Sequence, residues 1–141
     1  EDFLGTRLDR GETSIWVKQS SWRKAAQWLK EHGPYNVISD LMAVDYLERV
    51  PRFDLSLMIT SLELKECIRL KTLVEESNPV ADSLVPVWAG ANWFEREIFD
   101  LFGIQFAGHP HLKRLLLPAD YTGHPLRKDS PVTGPAVSVF R

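Results

Sequence analysis

Hydrophobic and polar residues alternate along several stretches of the first half of the chain. Ile15 and Val17 lie on one side of an extended segment, and the odd-numbered positions from Phe53 to Ile59 are apolar. Because side chains of a strand point alternately to opposite faces, this period of two predicts strands. The predicted strands span Thr13–Lys18, Val37–Leu47, Phe53–Leu62 and Glu66–Val74.

Two other stretches repeat their apolar residues at helical spacing. The first is predicted to form a helix over Trp22–His32, with Ser20-Ser21 as its N-cap and Gly33-Pro34 as its stop. The second is predicted over residues 91–102. Gly103 follows its last periodic residue and suits the left-handed conformation that ends a helix.

The second helix carries charged residues beside large apolar ones. Its apolar face consists of Ala91, Phe94, Ile98, Leu101 and Phe102. Asn92, Arg96 and Asp100 lie on the opposite side, and Arg96 and Asp100 form a potential i,i+4 ion pair. Trp93 falls outside the apolar face. We therefore expect a second packing surface on the charged side, formed by another element or another chain.

These elements predict an α+β fold. Short turns at residues 48–52 and 62–65 favour antiparallel neighbours, whereas residues 75–86 are expected to be loop or a short helical turn. The fold is a mixed or antiparallel sheet of about four to five strands packed by two helices. Residues 1–106 form this domain. Residues 107–141 are too rich in proline and glycine for a regular element and are predicted to be an extended C-terminal arm that docks on partner subunits. Beyond Pro131 a disordered terminus is an equal alternative.

Composition narrows the class of protein. The chain is 44% hydrophobic and 26% charged with a net charge of −2, as in ordinary soluble proteins, and its bulk charge does not favour nucleic acid. The single cysteine, Cys67, excludes a disulfide framework and an iron–sulfur cluster held by this chain alone.

No apolar run approaches the length of roughly 18 residues that marks a membrane-spanning helix, so we expect membrane association only through partners. Because the sequence starts at Glu1 instead of Met, we expect a processed or trimmed chain.

The most distinctive pattern lies in the second half of the chain. Glu95-Arg96-Glu97 precedes Asp100 with two apolar residues after it, and His109, Lys113 and Leu115-Leu116 follow. A second motif is Gly123-His124-Pro125-Leu126-Arg127-Lys128-Asp129. These two motifs resemble the 30-kilodalton subunit family of respiratory complex I, known in bacteria as the C subunit of the proton-pumping NADH:quinone oxidoreductase. The match runs from Trp88 to Pro131, and residues 1–87 carry no comparable signature.

The resemblance implies a structural subunit without a cofactor of its own. Its partners would be the large subunit that forms the quinone pocket and the subunit that holds the terminal iron–sulfur cluster. The assembled enzyme would use FMN, iron–sulfur clusters and quinone to move electrons from NADH, coupled to proton translocation. The chain would then lie peripherally on the cytoplasmic side of the bacterial inner membrane, or on the matrix side in mitochondria.

The candidate functional residues are therefore partner-docking or structural residues. They are Trp93, Glu95, Arg96, Glu97, Asp100, Gly103, His109, Pro110, Lys113, Arg114, His124, Pro125, Leu126, Arg127, Lys128 and Asp129. Several of them form a locally basic cluster within an acidic chain. On a proline-rich arm, such a cluster suits charged contacts with an acidic partner surface.

Other functions fit the sequence less well. Glu95 and Glu97 point about 200° apart on a helix and are not expected to act together as an acid and base. His109, His111 and His124 with a carboxylate would suit a stand-alone metal-dependent enzyme, although the family pattern usually has an acidic residue in place of His111. A nearer alternative is the homologous subunit of an energy-converting hydrogenase or of a ferredoxin-dependent photosynthetic relative.

Overall fold

A five-stranded sheet forms the centre of the computed structural model, which describes residues 2–134. The strands run β1 (Phe3–Asp9), β2 (Glu12–Val17), β3 (Val37–Asp45), β4 (Phe53–Ser61) and β5 (Glu66–Val74). Their order across the sheet is β1-β2-β5-β4-β3. Neighbours are antiparallel except for β2 and β5, which are parallel, so the sheet is mixed. The predicted α+β fold is confirmed.

One face of this sheet carries the hydrophobic core. Leu55, Leu57 and Ile59 of β4 are fully buried on it, as their alternation predicts. Two helices cover it, α1 (Trp22–His32) and α2 (Ala91–Phe102). Trp22 of α1 and Ala91 of α2 belong to the same buried cluster as the β4 side chains. Burial of this apolar surface is the main force that holds the helices in place.

Helix α2 connects the two strands of a small second sheet. β6 (Val80–Asp82) and β7 (Gln105–Ala107) pair in parallel, so that α2 is the crossover between them. The residues around β6 were predicted to be loop, and β7 was predicted only as an extended segment. Three residues are too few for alternation to mark a strand.

Two further differences concern the part of the chain that precedes α1. β1 is not predicted from the sequence pattern; it is the exposed outer strand of a hairpin with β2. A short 3-10 helix at Gln19–Ser21 precedes α1, and Ser21 makes no side-chain capping hydrogen bond to it. Ser21 thus occupies the predicted N-cap position of α1 without the hydrogen bond that a serine cap usually makes, and α1 has the predicted bounds.

The predicted arm is not confirmed in the part that the structure describes. Residues 108–134 contain no helix or strand, but they fold back and contact α2 and the β3–β4 turn of the same chain. We call residues 108–134 the C-terminal segment. The rest of the predicted arm, residues 135–141, lies outside the described residues.

Candidate functional site

The Asp100 carboxylate holds the C-terminal segment against α2. Asp100 is fully buried, and its Oδ2 accepts backbone hydrogen bonds from Leu115, Leu116 and Leu117 at 3.0, 2.7 and 2.9 Å. Its Oδ1 lies 2.7 Å from Nη1 of Arg114. Burial acts to raise the pKa of Asp100, but the three N–H groups and the guanidinium together hold it below its usual range. The segment is thus fastened by an ionised carboxylate.

Arg96 does not pair with Asp100, so the i,i+4 interpretation is wrong. Arg96 donates to the carbonyl oxygens of Lys113 and Arg114, each at 3.1 Å. The C-terminal segment supplies Asp100 with a closer cation from outside the helix. The Arg96 guanidinium also lies 5.0 Å from the ring centre of Trp93, which is 60% exposed. The second packing surface expected on α2 is therefore formed largely by this chain's own segment.

Glu95 occupies a buried site on another side of α2. Its carboxyl group accepts hydrogen bonds from the Ser83 hydroxyl, at 2.7 Å, and from the Leu84 N–H. Burial raises the pKa of Glu95 from 4.5 to about 7, because these neutral donors compensate the loss of water only in part. His109 of the C-terminal segment approaches the same carboxyl group, with Nε2 at 4.0 Å.

The C-terminal end of α2 is capped by the second sequence motif. Gly103 adopts the predicted left-handed conformation, with φ of 76°. The last carbonyl oxygens of the helix then have partners. His124 Nδ1 lies 3.0 Å from the carbonyl oxygen of Asp100. The Leu126 N–H donates to the carbonyl oxygen of Leu101, and Arg127 Nε donates to that of Phe102 at 2.6 Å. Donors and cations at this end satisfy the orphan carbonyls and the helix dipole.

Replacing Gly103 by alanine should destabilise the protein. A Cβ there would lie 2.6 Å from His124 Nε2 and 2.8 Å from Arg127 Nη2, on a backbone that disfavours side chains. We expect a loss of about 2 to 3 kcal/mol in the free energy of unfolding, measured in urea. Gly11→Ala is the matched control, because Gly11 has φ of 82° and no atom within 4 Å of the added Cβ. Equal losses of unfolding free energy in both variants would refute a steric contribution from His124 and Arg127.

Arg52 anchors the end of the C-terminal segment. Its side chain is 3% exposed and binds Asp45 with two hydrogen bonds of 2.7 and 2.8 Å. It also contacts Glu76 and, at 2.8 Å, Asp129. The Lys128 N–H donates to Asp45 at 2.8 Å. The Arg52 hydrogen bonds are the main cause that lowers the pKa of both Asp45 and Asp129.

The predicted docking residues differ in exposure: two are buried, seven are half-buried and seven are exposed. Glu95 and Asp100 are fully buried and contact this chain, whereas Trp93, Glu97, Lys113 and Lys128 are exposed. Their role in docking partners stays a prediction. Within residues 2–134, no three His, Cys, Asp or Glu side chains come together as a metal site would require. His109 and His111 contact each other through a hydrogen bond of 2.9 Å from the His111 N–H to His109 Nδ1.

The comparison with protein families decides where the chain belongs. The sequence model described as "Respiratory-chain NADH dehydrogenase, 30 Kd subunit" matches residues 15–136. The chain belongs to this 30-kilodalton subunit family. The match extends far beyond the two motifs and includes α1 and the strands β3, β4 and β5.

Individual relatives of this family member are named as subunits of NADH-quinone or NADH-ubiquinone oxidoreductase. The C subunit of the NADH-quinone oxidoreductase of Geotalea uraniireducens is 43% identical over 139 residues, which cover 96% of this chain and 85% of the relative. The Roseiflexus sp. protein of the same name is 43% identical, over 92% of this chain and 76% of the relative. The "Probable NADH-ubiquinone oxidoreductase 30.4 kDa subunit, mitochondrial" of Candida maltosa is 42% identical, over 89% of this chain and 46% of the relative.

Solved structures have the same fold as this family member. A trypsin-resistant fragment of Nqo5 superposes with a TM-score of 0.72 at 26% identity, covering 78% of this chain and 89% of the fragment. A chain of the membrane-bound sulfane sulfur reductase, an archaeal respiratory membrane complex, gives a TM-score of 0.82 at 20% identity, over 91% of this chain and 77% of that chain. The second likeness concerns the fold alone.

Two residues that matter to the site, Arg52 and Ser83, are not predicted from the sequence. Arg52 follows Pro51 in a turn, where an arginine normally faces solvent, and its partners lie up to 77 residues away. Ser83 lies in a segment predicted to be loop. A buried arginine in a turn has no local pattern, so only the tertiary structure reveals it.

Proposed function

We propose that this chain is a non-catalytic structural subunit of the peripheral arm of a proton-translocating NADH:quinone oxidoreductase. Membership of the 30-kilodalton subunit family and the Nqo5-like fold support this role. In the proposed assembly, FMN, iron–sulfur clusters and quinone are held by other subunits. Electron transfer needs those cofactors at fixed short separations, so a rigid bracket between subunits has a mechanical function.

The observation that carries the proposal is an exposed tryptophan on a rigid support. Trp93 is 60% exposed, yet Arg96 lies over its ring and is itself fixed by the two carbonyl oxygens of the C-terminal segment. Glu97 lies one helical turn from Trp93. The exposed residue Lys113 lies next to Arg96, which donates to its carbonyl oxygen at 3.1 Å. We call Trp93, Arg96, Glu97 and Lys113 the Trp93 surface. Preordered tryptophan and arginine side chains are typical energetic centres of protein interfaces.

The proposed partners of the Trp93 surface and the adjacent C-terminal segment are the large quinone-site subunit and the terminal iron–sulfur subunit. The exposed cations Lys113 and Lys128 support contacts with acidic partner surfaces. Glu95 and Asp100 contribute from inside the chain, because they hold in place the residues that carry the surface. The remaining predicted docking residues act at its edge or through the cap of α2.

The proposed location is the cytoplasmic side of the inner membrane in a bacterium, or the matrix side in a mitochondrion. Among residues 2–134, no helix combines the length and apolar character needed to cross a bilayer. Attachment to the membrane in this proposal is through the partner subunits.

Trp93→Ala tests the proposal. We expect the free energy of unfolding of the chain to change by less than about 0.5 kcal/mol, because the side chain is mostly exposed. Association with the partner subunits should weaken by at least about 30-fold, since an interface tryptophan commonly contributes about 2 kcal/mol or more. Two quantities are measured: the yield of assembled complex and the turnover per assembled complex. The complex is purified through the tagged chain, and native mass spectrometry identifies the co-purified subunits.

Trp28→Ala is the matched control, because Trp28 is 59% exposed on α1. Normal yield in both variants, or equal loss in both, would contradict docking through the Trp93 surface. Normal assembly of Trp93→Ala with low turnover would contradict a structural role. Co-purification with a nickel–iron hydrogenase instead of flavin and quinone-site subunits would assign the chain to a different assembly.

A further inference from the structure

The buried carboxyl group of Glu95 has no full cationic partner. Among residues 2–134, no lysine or arginine forms an ion pair with it, and its hydrogen-bond donors are the Ser83 hydroxyl and the Leu84 N–H. The side chains of Glu95 and His109 are both 0% exposed, with 4.0 Å between Oε2 and Nε2. A carboxylate in such a place loses the solvation by water that stabilises its charge. The site therefore favours the neutral acid more strongly than water does, although its two hydrogen-bond donors offset part of this effect.

Burial and one hydrogen bond favour the neutral form of the His109 ring, whereas the contact between its Nε2 and the Asn92 carbonyl favours the charged form. The His111 N–H donates to His109 Nδ1 at 2.9 Å, so Nδ1 is an acceptor and carries no proton. The ring proton is therefore on Nε2, which lies 3.3 Å from the carbonyl oxygen of Asn92. Besides Glu95, the titratable groups that face His109 are Arg96 of α2 and His111 of its own segment, and positive charge on either opposes charging of the ring.

We propose that Glu95 and His109 form a buried proton site, a protonated carboxyl group beside a neutral imidazole, that docks the start of the C-terminal segment on α2 without net charge. The Ser83 hydroxyl is suited to this site because a hydroxyl can both donate and accept. This proposal does not depend on the scaffolding role of the chain.

Docking of the segment shifts one bound proton from His109 to Glu95 by exchange with solvent. When the site is open at a pH between their ordinary values of 4.5 and 6.5, Glu95 is an anion and His109 a cation. On closure, the imidazolium loses the proton from Nδ1 to solvent, and the Glu95 carboxylate gains one from solvent. The number of bound protons is unchanged. Two opposite charges thus disappear from the buried site, and no counter-ion is needed.

The two groups must then give opposite pH dependences. Burial raises the pKa of Glu95 to about 7, so its ionisation costs stability as pH rises from 4.5 to 7. Burial is the main cause that lowers the pKa of His109, so protonation of the ring costs stability as pH falls below 6.5. In the wild type, the two slopes oppose each other across this range. Removing either group should expose the slope of the other.

Single substitutions in the full chain test this cancellation. We expect Glu95→Gln to become more stable relative to wild type as pH rises from 4.5 to 7, with the unfolding equilibrium constant falling by up to about tenfold per pH unit. His109→Asn keeps an acceptor for the His111 N–H and should show the opposite slope as pH rises towards 6.5. Glu63→Gln, an exposed glutamate in the β4–β5 turn, should follow the wild-type curve.

A direct measurement covers the case in which a variant fails to fold. In the ¹⁵N NMR spectrum of the wild-type chain near neutral pH, His109 should have a protonated Nε2 and an unprotonated Nδ1. The ¹³C signal of the Glu95 carboxyl group should titrate near pH 7. An Nδ1-protonated ring, a Glu95 midpoint near 4.5, or slopes of equal sign in the two variants would overturn the proposal.

Discussion

Asp100→Ala should release the C-terminal segment and destabilise the chain by about 3 to 5 kcal/mol. The substitution leaves the Arg114 guanidinium without its buried carboxylate and three consecutive backbone N–H groups without their acceptor. Urea unfolding gives the global loss. Hydrogen exchange at Leu115, Leu116 and Leu117 should accelerate more than exchange at β4, because the Asp100 carboxylate is the acceptor for all three of these amides.

Two controls make the Asp100 experiment specific. Asp120→Ala removes an exposed carboxylate of the same segment and should change the free energy of unfolding by less than about 0.5 kcal/mol. The pKa of Asp100 is lowered in the folded state, so its contribution is present above its ordinary value of 3.8 and is lost as pH falls through the lowered value. The variant should therefore lose less stability than wild type on acidification. Unchanged protection of the Leu116 amide would contradict the role of Asp100.

Arg52→Met should have a similarly large effect. It leaves Asp45, whose side chain is 1% exposed, as a buried carboxylate without its cation, and it removes the contacts to Glu76 and Asp129. We expect a loss of about 3 to 5 kcal/mol in the free energy of unfolding, measured in urea at neutral pH. Below the ordinary pKa of Asp45 the loss should shrink, because the carboxyl group becomes neutral and no longer needs a cation.

The Arg52 effect depends on a stranded charge, and this can be tested separately from lost packing. Adding Asp45→Leu to Arg52→Met removes the stranded carboxylate and should restore a large share of the stability. Arg7→Met is the surface control, because Arg7 and Asp9 pair at 3.1 Å with more than half of each side chain exposed. That variant should lose less than about 1 kcal/mol. Additive losses in the Asp45/Arg52 pair would contradict the prediction.

The sequence predicts the elements whose pattern is local. α1 and β5 have the predicted bounds, and Gly103 ends α2 in the predicted conformation. Each of these features depends on residues that are neighbours in the chain: alternation, helical spacing or a single glycine after a periodic segment. The family resemblance likewise came from short motifs and is confirmed by the match to residues 15–136.

The sequence does not predict the contacts that hold the C-terminal segment. Arg96 and Asp100 have the spacing of a helical ion pair, yet each has better partners in a segment that lies later in the chain. A carboxylate that accepts three backbone N–H groups and a guanidinium outcompetes an exposed i,i+4 pair of a few tenths of a kcal/mol. Such competition is decided by tertiary geometry. For the same reason, the proline-rich segment is predicted from sequence to dock on partner subunits, whereas its described part contacts this chain's own domain.

The parallel pairing of β2 with β5 has a consequence for synthesis of the chain. The bond from the Thr72 hydroxyl to the Val17 carbonyl joins residues 55 positions apart, and all of α1, β3 and β4 lie between them. The β1–β2 hairpin emerges from the ribosome before β5, and β2 has no second neighbour in the sheet until β5 has been made. We expect β3, β4 and β5 to form the folding nucleus as a local antiparallel meander, and the N-terminal hairpin to add last, because distant pairing carries the larger loop-closure entropy. A nascent chain that stops before Glu66 would expose the apolar face of that hairpin to chaperones.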